Sequence, residues 1–176
     1  MLSKIRAVEI EDDCEEDDEW GVQTSAGCCL QKLSLLLGAK VIPQVVEFVQ
    51  ANISSADWQG RYAALIALGA ITEVPDKRAI GEILAGSLSM LLNMFQDSSI
   101  KVREAISWVI SKVCEHHGDV LTQTPEGTTF VMQMLMNALK DKPKVSKNTC
   151  AAIEKLSESL QPSEPNQQSN ALTPYL

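Results

Sequence analysis

Apolar residues recur along this chain at helical spacing, and nowhere does a stretch alternate convincingly as a strand would. Leu30, Leu33 and Leu37 fall at i, i+3 and i+7, with Gly38 placed to stop the helix they mark. In IPQVVEFVQANI the apolar residues at 42, 45, 46, 49 and 53 share one helical face. DWQGRYAALIALGAI, rich in Ala and Leu and free of Pro, predicts a helix over about 57–73 with Asp57 as its N-cap. Further helices are predicted over about 80–96, 99–116, 128–140 and 143–160.

These helices alternate between two patterns, and both repeat. The first helix of each pair places apolar residues at i and i+4: Val45 and Val49, then Leu88 and Leu92, then Val131 and Leu135, at steps of 43 residues. Leu172 and Leu176 follow after 41 more. The second helices superimpose too. Gly60-Arg61-Tyr62-Ala63 corresponds to Val102-Arg103-Glu104-Ala105, 42 residues on, and Val145-Ser146-Lys147-Asn148 follows 43 later. Upstream, Trp20-Gly21-Val22-Gln23 matches Trp58-Gln59-Gly60-Arg61 at a shift of 38. Two helices per unit at this period predict an all-α fold, an α-α superhelix of the HEAT or armadillo solenoid type. Stacking buries faces that one helix pair cannot bury alone. Ala63, Ala64, Ala67, Gly69 and Ala70 would let neighbouring helices come close, and Arg61 and Arg103 could tie successive units together.

The expected organisation is an acidic segment over 1–19, the second helix of an incomplete unit over 20–38, and units over 39–74, 75–118 and 119–160. Residues 161–176, opening QPSEPNQQSN, read as a link and the start of another unit. A solenoid is usually closed by polar caps, and neither end offers one, so the chain reads as a piece of a longer array.

Charge changes the picture because of where it sits. The net charge of −8 is concentrated in EIEDDCEEDDE, residues 9–19, which holds nine acids; the remainder of the chain carries +1. So dense a run repels itself and stays solvated, and it attracts basic partners rather than nucleic acid or an anionic membrane. No apolar run approaches the length a membrane span needs, and the start does not read as a secretory signal or transit peptide. Cys14, Cys28, Cys29, Cys114 and Cys150 lack framework spacing and read as free thiols of a reducing compartment, cytosol or nucleus.

No chemistry of catalysis emerges. There is no phosphate loop, metalloprotease motif or nucleophile elbow. His116 and His117 are adjacent, so they should point apart on a helix and not address one site. The acids at 9–19 lack the spacing and turn glycine of a calcium loop. The expectation is a non-enzyme without cofactor or metal. Trp58 reads as structural. Trp20 abuts the acidic run, and Trp108 lies one turn from Glu104. A Trp face beside a carboxylate suits Arg or Lys, through cation–π contact plus charge pairing.

The order of features resembles the central HEAT repeats of the importin-β (karyopherin-β) family. An acidic loop ending in Trp20 is followed by SAGCCLQKLSLLLG, by DWQGRYAALIALGAI, by SSIKVREAISWVISKVCE with Trp108, and by KPKVSKNTC. The resemblance implies a nuclear transport receptor whose second helices line an inner surface. It implies binding of a basic signal on cargo or of the basic helix of an importin-α-type adaptor, release by the GTPase Ran in its GTP form, and passage between cytoplasm and nucleus through the pore. Nucleoporins would be met by other parts of such a receptor; neither nucleic acid nor membrane insertion is expected. Carried over by position, the partner-binding residues are Asp12, Asp13, Glu15, Glu16, Asp17, Asp18, Glu19, Trp20, Trp108 and Asn148, and Glu104 joins them as the carboxylate one turn from Trp108. The chain departs from the family at Ala151, where the pattern resembles N-x-C-W. The rival reading is a HEAT scaffold of another class, such as a phosphatase or chromosome-organising subunit.

Overall fold

The computed structural model describes residues 22–160, and among these every regular element is helical. α1 runs Val22–Leu37 and ends at Gly38, whose φ of 58° is the left-handed conformation that glycine adopts most easily. A 3-10 turn over Gly38–Val41 leads into α2, Ile42–Asn52. α3 spans Trp58–Ile71, α4 Lys77–Asn93, α5 Ile100–Leu121, α6 Pro125–Ala138 and α7 Pro143–Leu160. Asp57 caps α3 as expected, accepting from the Gln59 N–H at 3.1 Å. Asp76 and Thr124 cap α4 and α6 in the same manner, and Pro125 and Pro143 open their helices where a missing N–H costs nothing.

The helices form two layers. α1, α3, α5 and α7 pack successively on one another, while α2, α4 and α6 each lie on the second helix of their own unit. This is the HEAT solenoid that the 38- to 43-residue period predicts. The core is continuous through the second-helix layer: Ala63, Ala64, Leu65, Leu68 and Ile71 of α3, Val102, Ile106, Val109 and Ile110 of α5, and Val145, Ala152 and Leu156 of α7 are all buried.

Arg61 and Arg103 tie the units together. The Arg61 guanidinium donates to both oxygens of Asp97, at 2.7 and 2.8 Å, and to the Ser55 and Ala56 carbonyls at 2.8 and 3.0 Å. Arg103 repeats the arrangement one unit on, with Asp141 at 2.6 and 3.2 Å and the carbonyls of Asp97 and Ser98 at 2.8 and 3.3 Å. Both pairs are largely shielded, with the four side chains 11–21% exposed. In unit three Ser146 stands at the equivalent position, so the ladder has two rungs here. Because both arginines lie in the first turns of α3 and α5, the rungs align the N-terminal ends of the second helices along one edge.

Four readings need correction. The buried stripe of α1 is Gly27, Leu30 and Ser34, not Leu30, Leu33 and Leu37; Leu37 is exposed. The cause is α3, which meets α1 where Gly27 admits Ile66: a methyl group on Gly27 would lie 2.9 Å from that side chain. The stretch Ser25–Asn52 is, by length and apolar composition, sufficient to cross a membrane, against the sequence reading; in the fold it is broken at Gly38. α5 continues beyond residue 116 to Leu121, but His117 leaves helical geometry at φ −139° and kinks it. That kink overturns the reading of the two histidines. His117 Nε2 lies 2.9 Å from the Thr72 carbonyl and His116 Nε2 lies 3.6 Å from Glu73, so both address the end of α3.

Candidate functional site

Glu104 and Trp108 lie one turn apart on α5 and therefore share a face. Together with Tyr62 and Ile66 of α3 and Lys144, Lys147 and Asn148 of α7 they line a shallow hollow of about 240 Å³ across the three helices. The fold thus brings together Glu104, Trp108 and Asn148, three of the residues expected to meet a partner. Asp12, Asp13, Glu15, Glu16, Asp17, Asp18, Glu19 and Trp20, like the link at 161–176, lie outside the described residues.

Each of the three also has a structural task. The Trp108 ring lies on Gly69 of α3 so closely that a methyl group there would overlap it. The ring is only partly buried, so one part packs and the rest borders the hollow. Asn148 Nδ2 donates to the Ser107 hydroxyl at 3.1 Å, a bond from α7 to α5 that holds its amide at the groove wall. Glu104 has only a loose pairing with Lys101, 3.7 Å away, and its side chain is 22% exposed. Burial pushes the Tyr62 phenol up from its ordinary value, and the nearby Glu104 charge adds to this, so the hydroxyl stays protonated. Trp58 lies against Tyr62 edge-on, with ring centroids 6.4 Å apart, and packs on the core as the sequence suggested.

Tyr62, Ile66, Lys144 and Lys147 were missed, although the repeat contains the signal for three of them. Tyr62, Glu104 and Lys147 occupy one register position of successive units, and Ile66, Trp108 and Ala151 another. Ala151, half-buried, stands in α7 at the position that Trp108 holds in the previous unit. A second hollow, about 830 Å³, lies beside α6 and the end of α7 around Met132, Met136 and Leu160; its lining has no ionisable side chain.

Glu73 and Cys114 lie outside this groove and have structural roles. Glu73 accepts from Gln31 at 2.8 Å and from Lys112 at 3.1 Å. Burial would raise its carboxyl, but these bonds and the Lys112 charge hold it below the usual range. Cys28, Cys29, Cys114 and Cys150 are free, and burial pushes the Cys114 thiol up to about 12, which makes it inert as a nucleophile. Among the described residues no group of three or more His, Cys, Asp or Glu is placed to hold a metal ion.

Comparison with known proteins follows this geometry closely. Residues 88–117 match the HEAT repeat. The importin subunit beta-1 of Saccharomyces cerevisiae is 33% identical over 151 residues, 86% of this chain and 17% of its own length. The solved structure of yeast importin-β, Kap95p, superimposes with a TM-score of 0.82 at 32% identity, covering 93% of this chain and 19% of that one. Kap95p bound to RanGDP and Kap95 in complex with Nup1 align equally well, with TM-scores of 0.81 and 0.80 at 32% and 33% identity over 90% of this chain and 18% of theirs. The chain spans about a fifth of the length of the curated relatives it matches.

Proposed function

On the premise of a HEAT solenoid of importin-β type, we propose that the chain is a partner-binding segment of a nuclear import receptor. Its second-helix face receives a basic segment, either a nuclear localisation signal on cargo or the basic helix of an importin-α-type adaptor. The observation that carries this is the pairing of Glu104 with the Trp108 face at a groove crossing three helices. An arginine or lysine there would gain cation–π contact of about 0.5–2 kcal/mol. The acids at 9–19 and Trp20 would add long-range attraction, and Asn148 a neutral hydrogen bond at the wall. The complexes of Kap95p with RanGDP and of Kap95 with Nup1 support Ran and nucleoporins as partners of such a receptor; in this reading Ran in its GTP form releases the basic segment. Shuttling between cytoplasm and nucleus follows. Binding and release, not catalysis, would be the work.

The experiment is a titration of the chain with a fluorescent Lys/Arg-rich peptide at rising salt. Binding is expected to weaken steeply with salt, because charges on flexible, solvated groups are screened. It is expected to weaken several-fold in Glu104→Gln and in the Asp17→Ala, Asp18→Ala, Trp20→Ala triple variant. Trp108→Ala should weaken it further, with circular dichroism to confirm a folded solenoid. Unchanged affinity in all three overturns the reading and favours a scaffold that meets a folded partner along its turns.

A further inference from the structure

Where α5 passes into α6 the chain reads Thr122-Gln123-Thr124-Pro125-Glu126-Gly127, and Thr124-Pro125 is the one Ser/Thr-Pro pair among the described residues. Both residues are exposed, as are Gln123 and Glu126. Thr124 has extended backbone, with φ −132° and ψ 145°, the form in which a peptide lies along an enzyme's cleft. Its hydroxyl oxygen accepts from the Gly127 N–H at 3.0 Å. Its hydroxyl hydrogen has no acceptor among the described residues, whereas Thr122, Thr128 and Thr129 each donate theirs to a carbonyl four residues back. Gly127 also keeps the Thr124 oxygen clear, since a methyl group there would lie 2.9 Å from it. The segment can be presented without disturbing the core. No side chain from Thr122 to Phe130 is buried, and the first buried residue of α6 is Val131. The opening turn of α6 contains glycine, a poor helix former, and helix ends open at little cost.

We propose that Thr124 is a phosphorylation site for a proline-directed protein kinase. The Thr124 oxygen bonds to the γ-phosphorus of a nucleoside triphosphate. The bond from that phosphorus to the bridging oxygen breaks, the nucleoside diphosphate leaves with the electron pair, and the hydroxyl proton passes to the kinase's base. The phosphate then takes over the cap of α6, with its oxygens at the first N–H groups and its charge at the positive end of the helix dipole. Glu126, the acid of that turn, opposes part of the gain. The new charge also stands beside Pro125, which lines the apolar hollow around Met132, Met136 and Leu160. The site lies outside the groove of Glu104 and Trp108, so it does not depend on the basic-partner reading.

The test incubates the full chain with a purified proline-directed kinase and ATP, and locates phosphate by mass spectrometry. Thr173-Pro174 carries the same dipeptide, so Thr173→Ala serves as the background. Phosphate is expected on Thr124, absent from that position in Thr124→Ala and largely lost in Pro125→Ala, with circular dichroism confirming that both variants stay helical. Thr122, Thr128 and Thr129 should remain unmodified. In the phosphorylated chain the amides of residues 126–128 should exchange with solvent about two- to fivefold more slowly. No phosphate on Thr124, or phosphate there only when the fold is broken by Val131→Asp, overturns the site. Equal labelling of Pro125→Ala overturns the class of kinase, and phosphorylation without slower exchange overturns the capping role.

Discussion

At the N-terminal edge of the second-helix layer, Arg61 and Arg103 each reach one unit forward into a carboxylate. At the C-terminal edge one cluster, Gln31, Glu73, Lys112 and His116, joins α1, α3 and α5. The first device recurs with its carbonyl contacts intact, and the second occurs once among the described residues. The difference lies in how each charge is satisfied. A guanidinium fork on a carboxylate, with two further carbonyls on one nitrogen, fixes its geometry. Glu73 instead gathers its contacts on one oxygen, Oε1, which accepts from an amide and an ammonium and lies 3.6 Å from an imidazole nitrogen, with no fork to fix the geometry. The rungs should therefore set the stacking, and the cluster should trim it.

Asp97 offers the sharpest way to break that contrast, because it serves both rungs. Its carboxylate binds Arg61 and accepts from the Ser99 N–H at 2.8 Å, while its carbonyl accepts from Arg103. Asp97→Ala leaves a shielded guanidinium without its counter-charge and should cost about 3 kcal/mol in urea unfolding. Asp141→Ala, whose pair is more exposed, at 21% for each side chain against 11% for Asp97, should cost about 2 kcal/mol. Arg78→Ala should fall near zero: its pair with Glu82 is exposed, at 90% and 68%. Equal effects for Asp97 and Arg78 would refute the ladder as the stacking device.

Next comes the contact between the edges, Gly69 beneath Trp108. Gly69→Ala must displace the ring or part α3 from α5, which should cost about 2 kcal/mol. Trp108→Leu should recover part of this in the double variant, and Trp fluorescence would report the ring's shift. At the C-terminal edge, Glu73→Gln keeps an acceptor for Gln31 but loses the charge facing Lys112, and should cost about 1 kcal/mol.

Much of this was legible because a solenoid writes its fold as a period. The seven helices, the Asp57 cap and the paired role of Arg61 and Arg103 all follow from helical spacing and superposition of units. The carboxylate partners did not, since Asp97 and Asp141 lie 36 and 38 residues after their arginines, in turns of unequal length. The buried stripe of α1 was misread because leucines marked it, whereas a small residue, Gly27, decided where α3 could approach. The kink at His117 has no proline to announce it, and it redirects two histidines onto one turn. At the groove, Glu104, Trp108 and Asn148 were found from chemistry and resemblance. Lys147 shares Glu104's place in the repeat, but a lone lysine among the several at 140–147 carries no signal of its own in the sequence.

The smallest expected effect is a pH dependence of the two edges, and its sign follows from their carboxylates. Burial would raise the Asp97 carboxyl, but the Arg61 hydrogen bonds, the Ser99 N–H and the charges of Arg61 and Arg103 together hold it below its ordinary value; the Arg103 hydrogen bond does so directly for Asp141, and Glu73 is lowered as well. A carboxyl depressed in the folded state contributes stability that is fully present above its unfolded value, and that is lost as pH falls toward the folded one. From pH 7 to pH 4 each of the three should therefore lose only a few tenths of a kcal/mol, about 1 kcal/mol together, with steeper loss below pH 4. In Asp97→Asn the slope should flatten by about a third, because the titrating group is gone and a neutral acceptor remains. An acid slope that persists unaltered in Asp97→Asn would assign it to groups outside the rungs, and the contrast between the two edges would then rest on geometry alone.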